Sequence, residues 1–145
     1  MPGERMGRSD DMDGESLLRE CIETLGERNG IDGLTLEPNG CCGIELRDGR
    51  RLYLKLDREH GRVFVYRVVL ALDTVDQDLL RRSMESNALE AETAGGVLSL
   101  SRRMNGIVYH KSVGAQYVDV AWLEQAMESM VVHGDHLAQS LSART

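Results

Sequence analysis

The chain has 145 residues and a mass of 16.2 kDa, the size of one domain, with 41% hydrophobic and 28% charged residues, proportions that exclude wholesale disorder. Seventeen basic against 24 acidic residues leave a net charge of −7, a field that repels phosphate backbones and argues against nucleic acid as a partner. Aromatic residues make up only 4%, so Leu, Val, Ile, Met and Ala have to build the core.

Residues 1–12 are polar, charged and glycine-bearing, and read as a flexible tail ahead of a single domain at 13–145. The N-terminus lacks the apolar stretch of a signal peptide, and no apolar run approaches the ~18 residues of a membrane span. Cys21, Cys41 and Cys42 are an odd set without CxxC spacing and read as reduced thiols. A soluble cytoplasmic protein is expected.

Asp13 is placed to cap a first helix, in which Leu17, Leu18, Cys21, Ile22 and Leu25 recur at helical spacing until Asn29-Gly30 stops it. The period then changes to two. Leu34 and Leu36 alternate around Thr35, "EPNG" turns, Ile44 and Leu46 alternate around Glu45, and Asp48-Gly49 is a strong hairpin signal. Leu52, Leu54 and Leu56 share one face of the next strand. The strand at 62–72, "RVFVYRVVLAL", differs: Val63, Val65 and Val69 lie on one side, and Phe64, Tyr66, Val68 and Leu70 on the other. An antiparallel sheet normally turns one face to water, so a cover for the second face is expected.

Thr74-Val75-Asp76-Gln77 fits a capping box for a second helix with the stripe Leu79, Leu80, Met84, Asn87, Ala88 and Ala91. Gly95-Gly96 ends that helix region, and a hairpin about Asn105-Gly106 joins strands at 97–101 and 107–113. Asp119 opens the last helix, whose stripe is Leu123, Ala126, Met127, Met130, Val131, Leu137 and Leu141, with Gly134 as a weak point costing about 1 kcal/mol against Ala. The fold class is α+β: an antiparallel twisted sheet with three helices in the order α-β-β-β-α-β-β-α.

Side chains for catalysis do not assemble in the sequence. His133 and His136 share a helix face without a third ligand, and His60 and His110 stand apart in a turn and a strand, so all four read as surface residues. Cys41-Cys42 sits in a turn without a basic flank. The glycines of Gly40 to Gly43 and Gly95-Gly96 lack phosphate-loop spacing. Asp73, Asp76 and Asp78 lack EF-hand spacing and serve a helix N-terminus. No metal or other cofactor is expected, and no enzyme.

The run from Leu79 to Val113, "LLRRSMESNALEAETAGGVLSLSRRMNGIVYHKSV", resembles the central segment of the class I type III secretion chaperones, the Tir chaperone (CesT-like) family. "LTLEPNGCCGIELRDGRRLYLKLD" resembles the family's first strands, Leu17 to Gly26 its opening helix, and "HLAQSL" its closing helix, so the likeness covers about residues 14–141. The Leu-Pro frequent in the family after its long strand is replaced by "LALDTVDQ" (Leu70 to Gln77). The resemblance implies a homodimeric two-layer sandwich with Phe64, Tyr66, Val68, Leu79, Leu80, Met84 and Asn87 at the twofold interface. It implies an ATP-independent chaperone in the bacterial cytoplasm that holds the extended N-terminal segment of a secreted effector, a virulence function, with the secretion ATPase as a further partner to consider. Leu17, Cys21, Leu25, Leu34, Leu36 and Ile44 are the candidate cargo contacts. A regulator-sequestering partner of the same fold is the alternative.

Overall fold

The computed structural model describes residues 2–71, 73, 76–90 and 92–143, with side chains from residue 14 onward. Helix α1 (Pro2–Asn29) starts well upstream of Asp13. Pro2 suits a first helical position, and Glu4, Arg5 and Met6 are good helix formers, so nothing in that stretch forces the helix to wait for a cap. The expected Asp13 cap lies outside the described side chains. The strands are β1 (Cys41–Glu45), β2 (Arg51–Asp57), β3 (Arg62–Ala71), β4 (Val97–Ser101) and β5 (Gly106–Gly114); helix α2 (Gln77–Asn87) separates β3 from β4, and α3 (Val120–Ser142) closes the chain. The strands form one five-stranded antiparallel sheet in the order β1-β2-β3-β5-β4, so β1 and β4 are its edges. Two compact units divide the chain, residues 1–65 with 112–125 and residues 66–111 with 126–145.

In the first unit α1 buries the stripe Leu18, Cys21, Ile22 and Leu25, the sheet buries Cys42, Ile44, Leu52, Leu54, Leu56, Val63 and Val65, and Val118 and Leu123 complete the core. Burial raises the Cys21 and Cys42 thiols above the ordinary thiol range, which keeps them protonated. Leu34 and Leu36, expected in a strand, lie in an irregular segment. Pro38 has no N–H for a ladder, and the chain turns here: Glu37 N–H donates to Cys41 O at 2.8 Å and Gly40 N–H to Glu37 O at 2.9 Å. The Leu36 carbonyl accepts instead from the Arg19 guanidinium at 3.0 Å. Cys41 and Cys42, expected in a turn, open β1.

In the second unit the core is Val69, Leu79, Leu98, Ile107, Val108, Tyr109, Ala126, Met130, Leu137 and Leu141. Asp76 caps α2 by accepting from Leu79 N–H at 2.8 Å; Thr74 and Val75 of the expected capping box, like Leu72 and Ala91, lie outside the described residues. The hairpin after β4 is not a tight Asn105-Gly106 turn. Ser101 pairs directly with Gly106, so the loop is Arg102–Asn105, with Asn105 in the left-handed region at φ 59°. Gly106 is needed inside the strand: a Cβ there would run into the Leu70 carbonyl and the Val68 methyl.

Gly134 is likewise not a fraying point, since α3 runs through it. A Cβ at Gly134 would stand 2.9 Å from Arg67 Cδ. The missing side chain makes room for Arg67, whose guanidinium donates to Met130 O at 2.8 Å and to Asp135 Oδ1 at 3.0 Å. Arg67 sits at an inward position of β3, between Val65 and Val69, and its charge is tolerated there because both bonds are made.

Candidate functional site

Two depressions stand out, one lined by α2 and β4 and one by α1 and residues 30–36. On α2, Asp78 takes Arg81 at 2.7 Å and Arg82 at 3.0 Å, and Arg81 reaches Glu85 at 3.1 Å, which makes one face polar. The hydrogen bond from Arg81 is the main reason the Asp78 carboxyl is held below the usual carboxylate range. Leu79 is buried on the inner side with Ser83 and Ser86. Ser83 Oγ returns its hydrogen to Leu79 O at 2.8 Å, which lets a hydroxyl sit in the interior. The remaining face carries Leu80 and Met84, and Met84 is 74% exposed.

Asn87 ties this helix to the sheet edge. Its Nδ2 donates to Leu98 O and its Oδ1 accepts from Leu98 N–H, both at 2.8 Å. The side-chain amide thus stands in for a neighbouring strand at the middle of β4. Leu80, Met84, Asn87, Leu98 and Leu100 line a largely apolar groove of about 300 Å³. Leu89, fully exposed at φ 53°, extends the apolar surface past the end of α2, and Leu100 is 50% exposed. Of the expected interface residues, Leu80, Met84 and Asn87 come together here, whereas Leu79 belongs to the core. Tyr66 and Val68 are half-buried on β3 in the second unit and Phe64 half-buried on β3 in the first; none of the three lines the groove. Leu89, Leu98 and Leu100 were not singled out by sequence. The alternation Leu98-Ser99-Leu100 carried the signal for two of them.

On the first unit, Leu34 and Leu36 line a depression of about 530 Å³ together with Ile31, Arg19, Glu23, Glu27 and Asp32. Leu17 is 40% exposed on α1. The other expected cargo contacts do not reach the surface: Leu36 is buried although it lines the depression, and Cys21, Leu25 and Ile44 are buried, because the α1 stripe that carries Cys21 and Leu25 is the one that packs into the unit.

The backbone of β1 has an open stretch. Leu46 N–H donates to Arg50 O and Leu56 N–H to Gly40 O. Antiparallel alternation then turns Cys42 and Ile44 toward β2 and leaves Cys41, Gly43 and Glu45 directed outward. Cys41 is used locally, its N–H by Asn39 Oδ1 at 3.0 Å and its O by Glu37 N–H. Gly43 and Glu45 are exposed. A Cβ built on Gly43 would meet nothing within 4 Å.

Among the described residues the titratable side chains form no reacting constellation. His60 Nδ1 is paired with Asp57 Oδ2 at 2.8 Å within its turn, so it is not the isolated residue expected. His110 is half-buried on β5 and burial lowers its pKa, so it too departs from the surface reading. His133 and His136 are exposed. Among the described residues no group of three His, Cys, Asp or Glu is arranged to hold a metal ion, and no helix is long and apolar enough to cross a membrane.

The family model for the Tir chaperone protein (CesT) family matches residues 20–138. The chain belongs to that family. Solved structures agree in fold. A chain of the ExsC–ExsE complex is 14% identical with a TM-score of 0.77, covering 90% of this CesT-family chain and 97% of its own. A chain of the HopA1–SchA chaperone–effector complex is 16% identical with a TM-score of 0.70, at coverages of 88% and 97%. A chain of the Yersinia pestis type III secretion chaperone SycH bound to a stable fragment of YscM2 is 12% identical with a TM-score of 0.63, at 82% and 98%. No curated protein sequence matches the CesT-family chain closely enough to count as a relative.

Proposed function

We propose that this CesT-family chain is a dimeric, ATP-independent chaperone that binds the extended N-terminal segment of a type III secreted effector and keeps it soluble and competent for export. The observation that carries the reading is the family match over residues 20–138, and the likeness in fold to complexes such as HopA1–SchA supports it. The chain acts by binding, in the bacterial cytoplasm, without a cofactor and without catalysis. The secretion ATPase is a second partner, to which the loaded chaperone is delivered.

A second copy covers the α2–β4 groove. Met84, Leu89 and Leu100 leave large apolar side chains in the open about this groove, exposed apolar patches mark interaction sites, and isologous dimers are the commonest oligomer. Phe64, Tyr66 and Val68 on β3 are covered in the same assembly. The cargo adds a strand at β1, where Gly43 and Glu45 offer outward backbone groups. The β4 edge is less suited, because Asn87 already occupies Leu98. Cargo side chains reach Leu17 and Leu34; Cys21, Leu25, Leu36 and Ile44 support that surface from beneath.

Affinity capture of the tagged full chain from its native cell, with the bound protein identified by mass spectrometry, tests the reading. A secreted protein retained through its N-terminal segment, and lost when that segment is deleted, is the expected result. A transcription regulator recovered in its place would contradict it and favour the sequestering role.

A further inference from the structure

The depression between α1 and residues 31–36 has an uneven chemistry. Its apolar part is the half-buried Ile31 and Leu34 over the buried Leu36, and its rim carries Glu23, Glu27 and Asp32, all three exposed. Glu23 and Glu27 are four residues apart on α1, a spacing at which like charges repel and cost helix stability. Arg19 also lines the depression, where its guanidinium donates to Leu36 O at 3.0 Å, and Arg28 pairs with Glu124 at 3.3 Å. Among the described residues none forms an ion pair with Glu23, Glu27 or Asp32. Among the described residues the lining thus sets three carboxylates against one guanidinium and is net acidic, around a floor that favours an apolar side chain.

We propose that this depression receives a stretch of the cargo in which an apolar residue is flanked by Lys or Arg. An extended segment seats a Leu, Ile or Val side chain on Ile31 and Leu34, and its basic neighbours meet Glu23, Glu27 and Asp32. This rests on the chaperone reading and specifies the chemistry of the segment held. The rim repels phosphate groups, so a nucleic acid does not fit it. The apolar floor provides contact that salt does not screen, and the rim selects among segments. Exposed pairs of this kind are individually weak and fall off with ionic strength, so three together give roughly a five- to tenfold preference.

Two short synthetic peptides with the same Leu-Ile-Leu centre, one flanked by arginines and the other by glutamates, test the proposal against the full-length isotope-labelled protein by NMR titration. The arginine-flanked peptide is expected to shift the backbone amides of residues 23–36 and to bind roughly five- to tenfold more tightly. The difference should close at about 1 M salt. It should also close in an E23Q/E27Q/D32N variant whose circular dichroism is unchanged. Equal affinities at low salt, no binding of the arginine-flanked peptide, or shifts confined to other faces, including a second copy's contact surface, would overturn it. A triple variant that binds an effector's N-terminal segment as tightly as the wild type would remove this proposal and leave the chaperone reading standing. A wild-type chain that takes the arginine-flanked peptide here yet holds no effector segment would do the reverse.

Discussion

Arg67 and Gly134 explain each other only when seen together. Ala at position 134 would gain about 1 kcal/mol in helix propensity. Its Cβ would stand 2.9 Å from Arg67 Cδ and push the guanidinium off Met130 O and Asp135. Hydrogen bonds to charged groups are worth about 1.5–3 kcal/mol each, and a charge left unpaired inside costs more. The clash should win. Gly134→Ala is expected to lower stability by about 1–3 kcal/mol in denaturant melts, although propensity alone predicts the opposite sign. Tyr109 poses a second test at this scale. Its hydroxyl donates to Thr93 O at 2.6 Å, and burial pushes its pKa up to about 12 from an ordinary value of 10.0. The folded state therefore favours the neutral phenol. That contribution is complete below about pH 10 and is lost as pH rises toward 12, because the unfolded chain ionises first. Tyr109→Phe should cost about 1–2 kcal/mol near neutrality and should flatten the alkaline loss of stability in thermal melts between those pH values. Sequence showed Gly134 as a helix defect but not its purpose, since Arg67 lies 68 residues from Asp135 along the chain and no local pattern joins them.

The elements themselves were largely legible. Period-two runs located β2 and β3, helical stripes located α2 and α3, and Asp119 marked the start of α3, where it accepts from Trp122 N–H at 2.7 Å. What failed was local. Leu34 and Leu36 alternate like a strand, yet a strand needs a partner with free backbone groups, and the turn at Glu37–Gly40 with Arg19 uses those groups first. Asn105-Gly106 reads as a tight turn, but Ser101 pairs with Gly106, and Met104 N–H donates to Ser101 Oγ at 3.1 Å inside a longer loop. The candidate interface was legible on α2 because Leu80, Met84 and Asn87 share its spacing, whereas Leu79 adjoins them in sequence and faces inward. Periodicity fixes which residues share a face, and only packing decides which face is covered. Met84 is 74% exposed, so Met84→Asp leaves the fold of one chain undisturbed. It is expected to convert a particle of about 32 kDa, twice the 16.2 kDa chain, to a monomer on light scattering with circular dichroism unchanged. Leu80→Asp should do the same with some loss of stability, because Leu80 is half-buried. Dimers of unchanged strength in both variants would place the twofold contact elsewhere.

For the molecule as a whole, a −7 chain with few aromatics forms a sheet whose two edges are finished differently. β4 is closed at Leu98 by Asn87, and β1 is left open at Gly43 and Glu45. An extended segment laid on β1 would be held by backbone pairing and by apolar side chains at Leu17 and Leu34. Ordering such a segment has a large entropic cost, so the affinity has to come from many modest contacts and from buried apolar surface. Titration calorimetry of the full-length protein with an effector's N-terminal segment, run at several temperatures and two salt concentrations, measures this most directly. A negative heat-capacity change, with binding weakened several-fold but retained at moderate salt, is the predicted result. Binding abolished by salt with no heat-capacity change would mean a purely electrostatic contact and would contradict the account.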